Sequence, residues 1–233
     1  LLLYEKAKAF SESGRIKDAV SQAEYALKIV STGDDKLLKA RILNLLGKCY
    51  IHLDQLVVAQ KYYLRAAAEY EKIESFGELS DTYFSTGLIY FKAEAYQNAI
   101  TYFNKAMESM LKSNYMADPT VYLEYLVQCY ARLNMTNETL AVLERLVTIY
   151  GDQKDTLRLI FSLSQKAEAY SSRKEYKLAI DANLKILAMY QSAFDTAGMA
   201  GVYNNLGYNF AQFGDYHRAI QMFKQTMASE KFI

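Results

Sequence analysis

The chain has 233 residues, 52% apolar and 23% charged, a balance that builds a sizeable core and excludes a disordered polymer. Lysine and arginine number 27 against 26 aspartate and glutamate, so a formal charge of +1 supplies no general attraction to nucleic acid or anionic membrane. One proline and ten glycines are too few for the turns of a β-sandwich this long, which leaves helices joined by short turns.

The chain opens on Leu1-Leu2-Leu3-Tyr4 and reaches Glu5 and Lys6 at once, unlike a secretory leader. No apolar run approaches the roughly 18 residues that a membrane helix needs. Position 1 is not methionine, and the expectation is a fragment of a larger protein, cytoplasmic in setting.

Six segments then superimpose without gaps. Each carries a small residue, at Ala7, Gly47, Gly87, Val127, Ala167 and Gly207, a constant period of 40. Before it stand Leu3, Leu43, Tyr83, Leu123, Leu163 and Tyr203; after it stand Phe10, Tyr50, Tyr90, Tyr130, Tyr170 and Phe210. Further on come Ala19, Ala59, Ala99, Thr139, Ala179 and Ala219. Offsets of three, four and seven share one helical face, so Leu43, Leu46, Gly47 and Tyr50 form a stripe. The small residue lets a second helix approach closely. That second helix presents its alanine and then, in three repeats, Tyr63, Phe103 or Phe223, so that small meets large across the pair.

Turns are expected at Ser13-Gly14, Asp54, Asn134 and Gly214-Asp215, with Asp215 placed to cap the helix after it. Linkers between repeats are expected at Ser31 to Asp35, Glu74 to Gly77, Asn114 to Pro119, Gly151-Asp152 and Ser192 to Gly198. Ser75 and Glu78 have capping-box spacing, and Pro119 suits a first helical turn. No composition shift splits the chain, so one domain over 1–233 is expected, with repeats at 1–34, 35–74, 75–114, 115–154, 155–194 and 195–233. Repeat four departs most, with Val127 for glycine, Thr139 for alanine and Leu143 for the aromatic; its two helices are expected to sit farther apart.

The run Tyr203-Asn204-Asn205-Leu206-Gly207-Tyr208-Asn209-Phe210, followed by Gly214-Asp215-Tyr216 and Ala219-Ile220, resembles the tetratricopeptide repeat. The resemblance covers essentially the whole chain and implies an all-α, right-handed solenoid of six helix-turn-helix repeats. Two departures, a period of 40 in place of about 34 and no closing proline, look like the long-repeat branch. That branch includes peptide-sensing Rap-type bacterial regulators and Pins-type polarity scaffolds.

Residues for chemistry are sparse. His52 and His217 are the only histidines. His52 lies three residues from Cys49, yet no third group orients such a pair, so catalytic residues are expected to be absent. Cys49 and Cys129 read as small core residues, not as a disulfide or metal site, and no cofactor is implied. No phosphate-binding glycine loop appears. The 21 tyrosines could suggest a platform for single strands, but their recurrence at the packing position makes them core, so no nucleic-acid partner is expected.

The resemblance implies that the first helices line a concave groove. Its candidate partner-binding residues are Lys8, Arg41, Asn44 and Lys48 at a basic end, Phe84, Leu88, Phe91, Tyr125 and Gln128 in an aromatic middle, and Asn205, Tyr208 and Gln212 at an amide-rich end. A peptide with an acidic end and apolar anchors would match. The carboxylate clamp of chaperone-binding relatives does not match, since Tyr4, Lys8, Leu45, Asp81 and Ser85 stand at its positions. The expected function is a protein- or peptide-binding scaffold within a signalling protein. The alternatives are a peptide-responsive sensor controlling a kinase, cyclase or transcription regulator, and a homodimer formed through uncapped ends.

Overall fold

The computed structural model describes residues 1–113 and 118–229. These residues form helices taken two at a time: α1 (Leu2–Glu12) with α2 (Ile16–Val30), α3 (Lys36–His52) with α4 (Leu56–Lys72), α5 (Phe76–Lys92) with α6 (Tyr96–Lys112), α7 (Thr120–Arg132) with α8 (Thr136–Asp152), α9 (Thr156–Ser172) with α10 (Tyr176–Ser192), and α11 (Thr196–Phe213) with α12 (Tyr216–Ser229). The fold is an all-α helical-repeat solenoid.

The turns follow a shorter period than the sequence motif. Backbone φ is positive at Gly14, Asp54, Glu74, Glu94, Asn134, Lys154, Lys174, Phe194 and Gly214, positions that all fall on one 20-residue grid. The amide after each reaches back over the helix end, as Gln55 N–H does to the Tyr50 carbonyl at 2.9 Å and Ala95 N–H to the Tyr90 carbonyl at 2.9 Å. Three of the links between repeats, at Glu74, Lys154 and Phe194, are therefore built like the turn inside a repeat. Gly14 and Gly214 accept this left-handed geometry freely, but Phe194 adopts it at φ 55° with its ring 88% exposed. Replacing Phe194 with glycine is expected to raise stability by about 1 kcal/mol, read as a higher urea midpoint. A lower midpoint would mean that the ring makes contacts worth more than the strain.

Aspartates start several helices. Asp35, Asp155 and Asp195 accept the backbone N–H groups of Leu38, Arg158 and Gly198 at 2.9, 3.1 and 2.9 Å. Asp215 caps as expected, accepting from Arg218 N–H at 3.0 Å. Other expectations need correction. The Ser75 hydroxyl donates to the Glu78 carboxylate at 2.8 Å rather than capping a backbone amide. Gly77, Gly151 and Gly198 belong to helices, not linkers, and Gly198 abuts the Tyr190 ring. Pro119 immediately precedes α7 instead of entering its first turn, and residues 114–117 of that linker lie outside the described residues.

Contacts divide the chain into two compact units, Leu1–Cys129 and Tyr130–Ile233, and the division falls in α7 of the atypical fourth repeat. In the first unit, Ala7, Ala19, Ala23, Leu46 and Cys49 form one buried cluster, and Leu43, Tyr70, Leu79, Tyr83 and Met110 another. In the second, Leu163, Ile186, Leu206 and Phe210 hold the core. The small-against-large rule is literal. A Cβ added at Gly47 would lie 2.8 Å from the Tyr63 ring, at Gly87 2.6 Å from Phe103, and at Gly207 2.6 Å from Phe223.

The recurrent aromatics are less buried than a core assignment implies. Tyr50 and Tyr90 are half-buried and stack on Tyr62 and Tyr102 with centroids 5.3 and 5.2 Å apart. Desolvation pushes the Tyr50 phenol up to about 12, and Glu24, which accepts its proton at 3.0 Å, adds to the shift. Both cysteines are fully buried and free, and burial lifts the Cys129 thiol to about 11. Among the described residues no helix is long and apolar enough to cross a membrane.

Candidate binding clefts

In the first unit, the first helices of three successive repeats converge on one open cleft. Tyr4, Lys8, Ser11 and Glu12 come from α1, Arg41, Asn44, Leu45 and Lys48 from α3, and Glu78 and Asp81 from α5, with Tyr70 of α4 behind them. Helical periodicity explains the set, since 4, 8 and 11, and 41, 44, 45 and 48, each fall on one face. Four sequence candidates, Lys8, Arg41, Asn44 and Lys48, are thus brought together. The Asn44 amide donates to the buried Thr82 hydroxyl at 2.6 Å, which fixes its orientation.

The charge reading of this end changes once the cleft is seen. Lys8 pairs with Glu12 at 3.8 Å and Arg41 with Glu78 at 3.2 Å. Desolvation raises the Asp81 carboxyl above its ordinary range, against the pull of the Lys48 charge. Three carboxylates therefore face three cations. The basic end expected from the sequence takes in the cations alone and leaves out Glu12 at the end of α1 and Glu78 and Asp81 near the start of α5.

The aromatic candidates form a cluster of their own in the same unit. Phe84 of α5 lies 5.5 Å from Phe103, 5.0 Å from Tyr122 and 5.6 Å from Tyr125, and Phe91 lies 5.3 Å from Tyr125. Phe84, Leu88, Phe91 and Tyr125 are half-buried, so they partly serve packing between neighbouring helices. Gln128 is exposed, and its amide reaches the Glu124 carbonyl only at 3.5 Å.

The second unit has its own cleft between α9, α10 and α11. Asn205 and Tyr208 line it, with Gln165, Glu168, Asn183 and Asn209, while Gln212 is exposed outside it. The sequence reading missed Asn183 and Asn209. A signal was present in the repeat register: Asn183 stands where Tyr63, Phe103, Leu143 and Phe223 stand, and Asn209 where Cys49, Ile89 and Cys129 stand.

Grouped acid–base chemistry is weak by comparison. The Cys49 sulfur lies against the Ser11 hydroxyl at 3.7 Å, burial raises its pKa, and His52 is exposed. No group of three or more histidine, cysteine or acidic side chains suited to a metal occurs among the described residues.

Comparison with known proteins places this architecture. Two family models, each described as a tetratricopeptide repeat, match residues 38–112 and 200–226. No curated protein sequence matches the chain. Among solved structures, YrrB, described as a tetratricopeptide repeat protein with an unusual peptide-binding site, is similar at TM-score 0.60 and 17% identity, covering 88% of this chain and 91% of its own. The apo form of RapI is similar at TM-score 0.60 and 14% identity, over 98% of this chain and 82% of its own. Aspartyl phosphate phosphatase F from Bacillus subtilis is similar at TM-score 0.60 and 14% identity, over 98% of this chain but 58% of its own. At such identities these likenesses speak for the fold, and the two family models identify tetratricopeptide repeats in this chain at 38–112 and 200–226, within its 40-residue repeat.

Proposed function

We propose that the chain is a protein- or peptide-binding scaffold that acts by recognition and not by catalysis. The observation that carries this reading is the first unit's cleft, to which α1, α3 and α5 each contribute polar or charged side chains at helical spacing. Stacked repeats that leave one helix row unpaired present an extended surface suited to a chain-like ligand. Matched charges in the cleft favour a ligand with both signs or with polar backbone groups over a purely acidic tail. The exposed part of the Phe84, Phe91 and Tyr125 cluster supplies apolar anchors near the same helix row. The peptide-binding site named for YrrB agrees with this reading.

The test uses peptides selected from a random display library against the whole chain. Their affinities are then compared between the native protein and the triple variant Lys8→Ala, Arg41→Ala, Lys48→Ala. These side chains are exposed, and their ion pairs are worth no more than about 1 kcal/mol each, so the variant should fold. At least about tenfold weaker binding, or 1.4 kcal/mol, is expected. Equal affinity for a variant of unchanged helicity would remove recognition from this cleft.

A further inference from the structure

Every repeat but one fills the second-helix position opposite its small residue with an apolar side chain: Ala23, Tyr63, Phe103, Leu143 and Phe223. Repeat five places Asn183 there, only 2% exposed. The position two residues after the small residue is apolar in five repeats and is Asn209, only 4% exposed, in the sixth. Both unusual residues line the cleft of the second unit.

Their orientation is fixed by their own helices. Asn183 Nδ2 donates to the Ala179 carbonyl at 2.9 Å, and Asn209 Nδ2 to the Asn205 carbonyl at 2.8 Å. Only an NH₂ group can donate to a carbonyl, so these bonds assign the nitrogen of each amide and leave its oxygen on the other side as an acceptor. Asn209 Oδ1 is buried and has no hydrogen-bond partner, alone in that respect among the described side chains. A buried acceptor without a donor is destabilising, and a water, an ion or a ligand that supplies the donor removes that cost.

The rest of the lining specifies that donor. Glu168 is the one charged side chain among the described residues lining the cleft. Lys166, the nearest cation along α9, is engaged by Glu144. Phe161 and Tyr208, 66% and 51% exposed, bring aromatic rings to the same cleft. Acceptor oxygens, one carboxylate and flat apolar faces together suit a planar cation with several N–H groups better than a compact ammonium or an anion. We propose that this cleft is a subsite for a guanidinium group, the arginine side chain of a bound peptide, with Asn209 Oδ1 and Asn183 Oδ1 accepting N–H bonds and Glu168 balancing the charge. The proposal deepens the scaffold reading and rests on it, but it concerns a cleft in the other unit, whose lining carries one carboxylate where the first cleft balances its charges.

The probe is N-acetyl-arginine amide, titrated into the whole chain while side-chain amide NMR signals are followed. The controls are N-acetyl-citrulline amide, nearly isosteric and uncharged, and N-acetyl-lysine amide. Saturable binding of the arginine probe is expected, with the Asn183 and Asn209 amide signals shifting and both controls at least tenfold weaker. Glu168→Gln, at an exposed position, should weaken the arginine probe at least tenfold. Asn209→Ile, which installs the residue of repeat three, should abolish binding while raising the melting temperature. Equal binding of citrulline, no effect of Glu168→Gln, shifts confined to other residues, or no saturable binding would each overturn the subsite. If the arginine probe fails while selected peptides still depend on Lys8, Arg41 and Lys48, the subsite alone falls. If the peptides too bind the triple variant unchanged, the scaffold reading of the first cleft falls separately.

Discussion

Gly87→Val is expected to destabilise the protein by about 3 kcal/mol, at the top of the range for overpacking a tight core. The reason is geometric. Even a Cβ at this position would sit 2.6 Å from Phe103 Cε1 and 2.7 Å from Cδ1, well inside van der Waals contact. The ring cannot swing clear, because Phe103 is fully buried and lies 5.5 Å from Phe84 and 5.3 Å from Tyr125. The chain itself suggests the compensating change, since repeat four carries Val127 and Leu143 at the two corresponding positions. The double variant Gly87→Val, Phe103→Leu should therefore lose less than the two single changes together, with a coupling of about 1 kcal/mol or more in a double-mutant cycle. Urea midpoints at constant slope measure all four corners of the cycle. A neutral Gly87→Val, or additive single changes, would show that the helices of this pair are held apart by something other than the glycine–aromatic contact.

That contact was legible in the sequence because it repeats. Gly47 with Tyr63, Gly87 with Phe103 and Gly207 with Phe223 stand at one separation, and a fixed separation on helices of fixed pitch specifies one geometry. The turn positions were only half legible. Gly14, Asp54, Asn134 and Gly214 announce a left-handed backbone, whereas Glu74, Glu94, Lys154, Lys174 and Phe194 adopt it against their preference, held by the helices on either side. The candidate site divided in a similar way. Arg41, Asn44 and Lys48 share one face of α3, and Lys8 of α1 stands at the register of Lys48, so periodicity finds them, but Glu78 and Asp81 enter the cleft from the first turns of α5, positions to which the sequence expectations give no groove role. Asn183 and Asn209 broke the repeat pattern in plain view. They escape a sequence reading because an asparagine in a helix is unremarkable until the burial of both, and the unpaired oxygen of Asn209, are known.

The other large effect is expected from Phe103→Ala, a loss of about 4 kcal/mol. Phe103 is fully buried, so its removal forfeits the transfer energy of an entire ring and leaves a cavity. The surroundings cannot collapse into that space easily. Gly87 offers no side chain on one side, and on the other Phe84 and Tyr125 are already held by each other and by Tyr122 and Phe91. Phe223 is the internal control. It stands at the same register in α12 against Gly207, with the same 2.6 Å approach, but its ring is 38% exposed. Phe223→Ala should therefore cost markedly less, on the order of 1–2 kcal/mol, since part of the ring already contacts water and little cavity remains. The comparison separates two contributions that single mutants confuse, because sequence position and glycine contact are shared while burial differs. If the two substitutions proved equally costly, the aromatic's worth would lie in its fit against glycine, and burial would not set the scale of stability along the repeats.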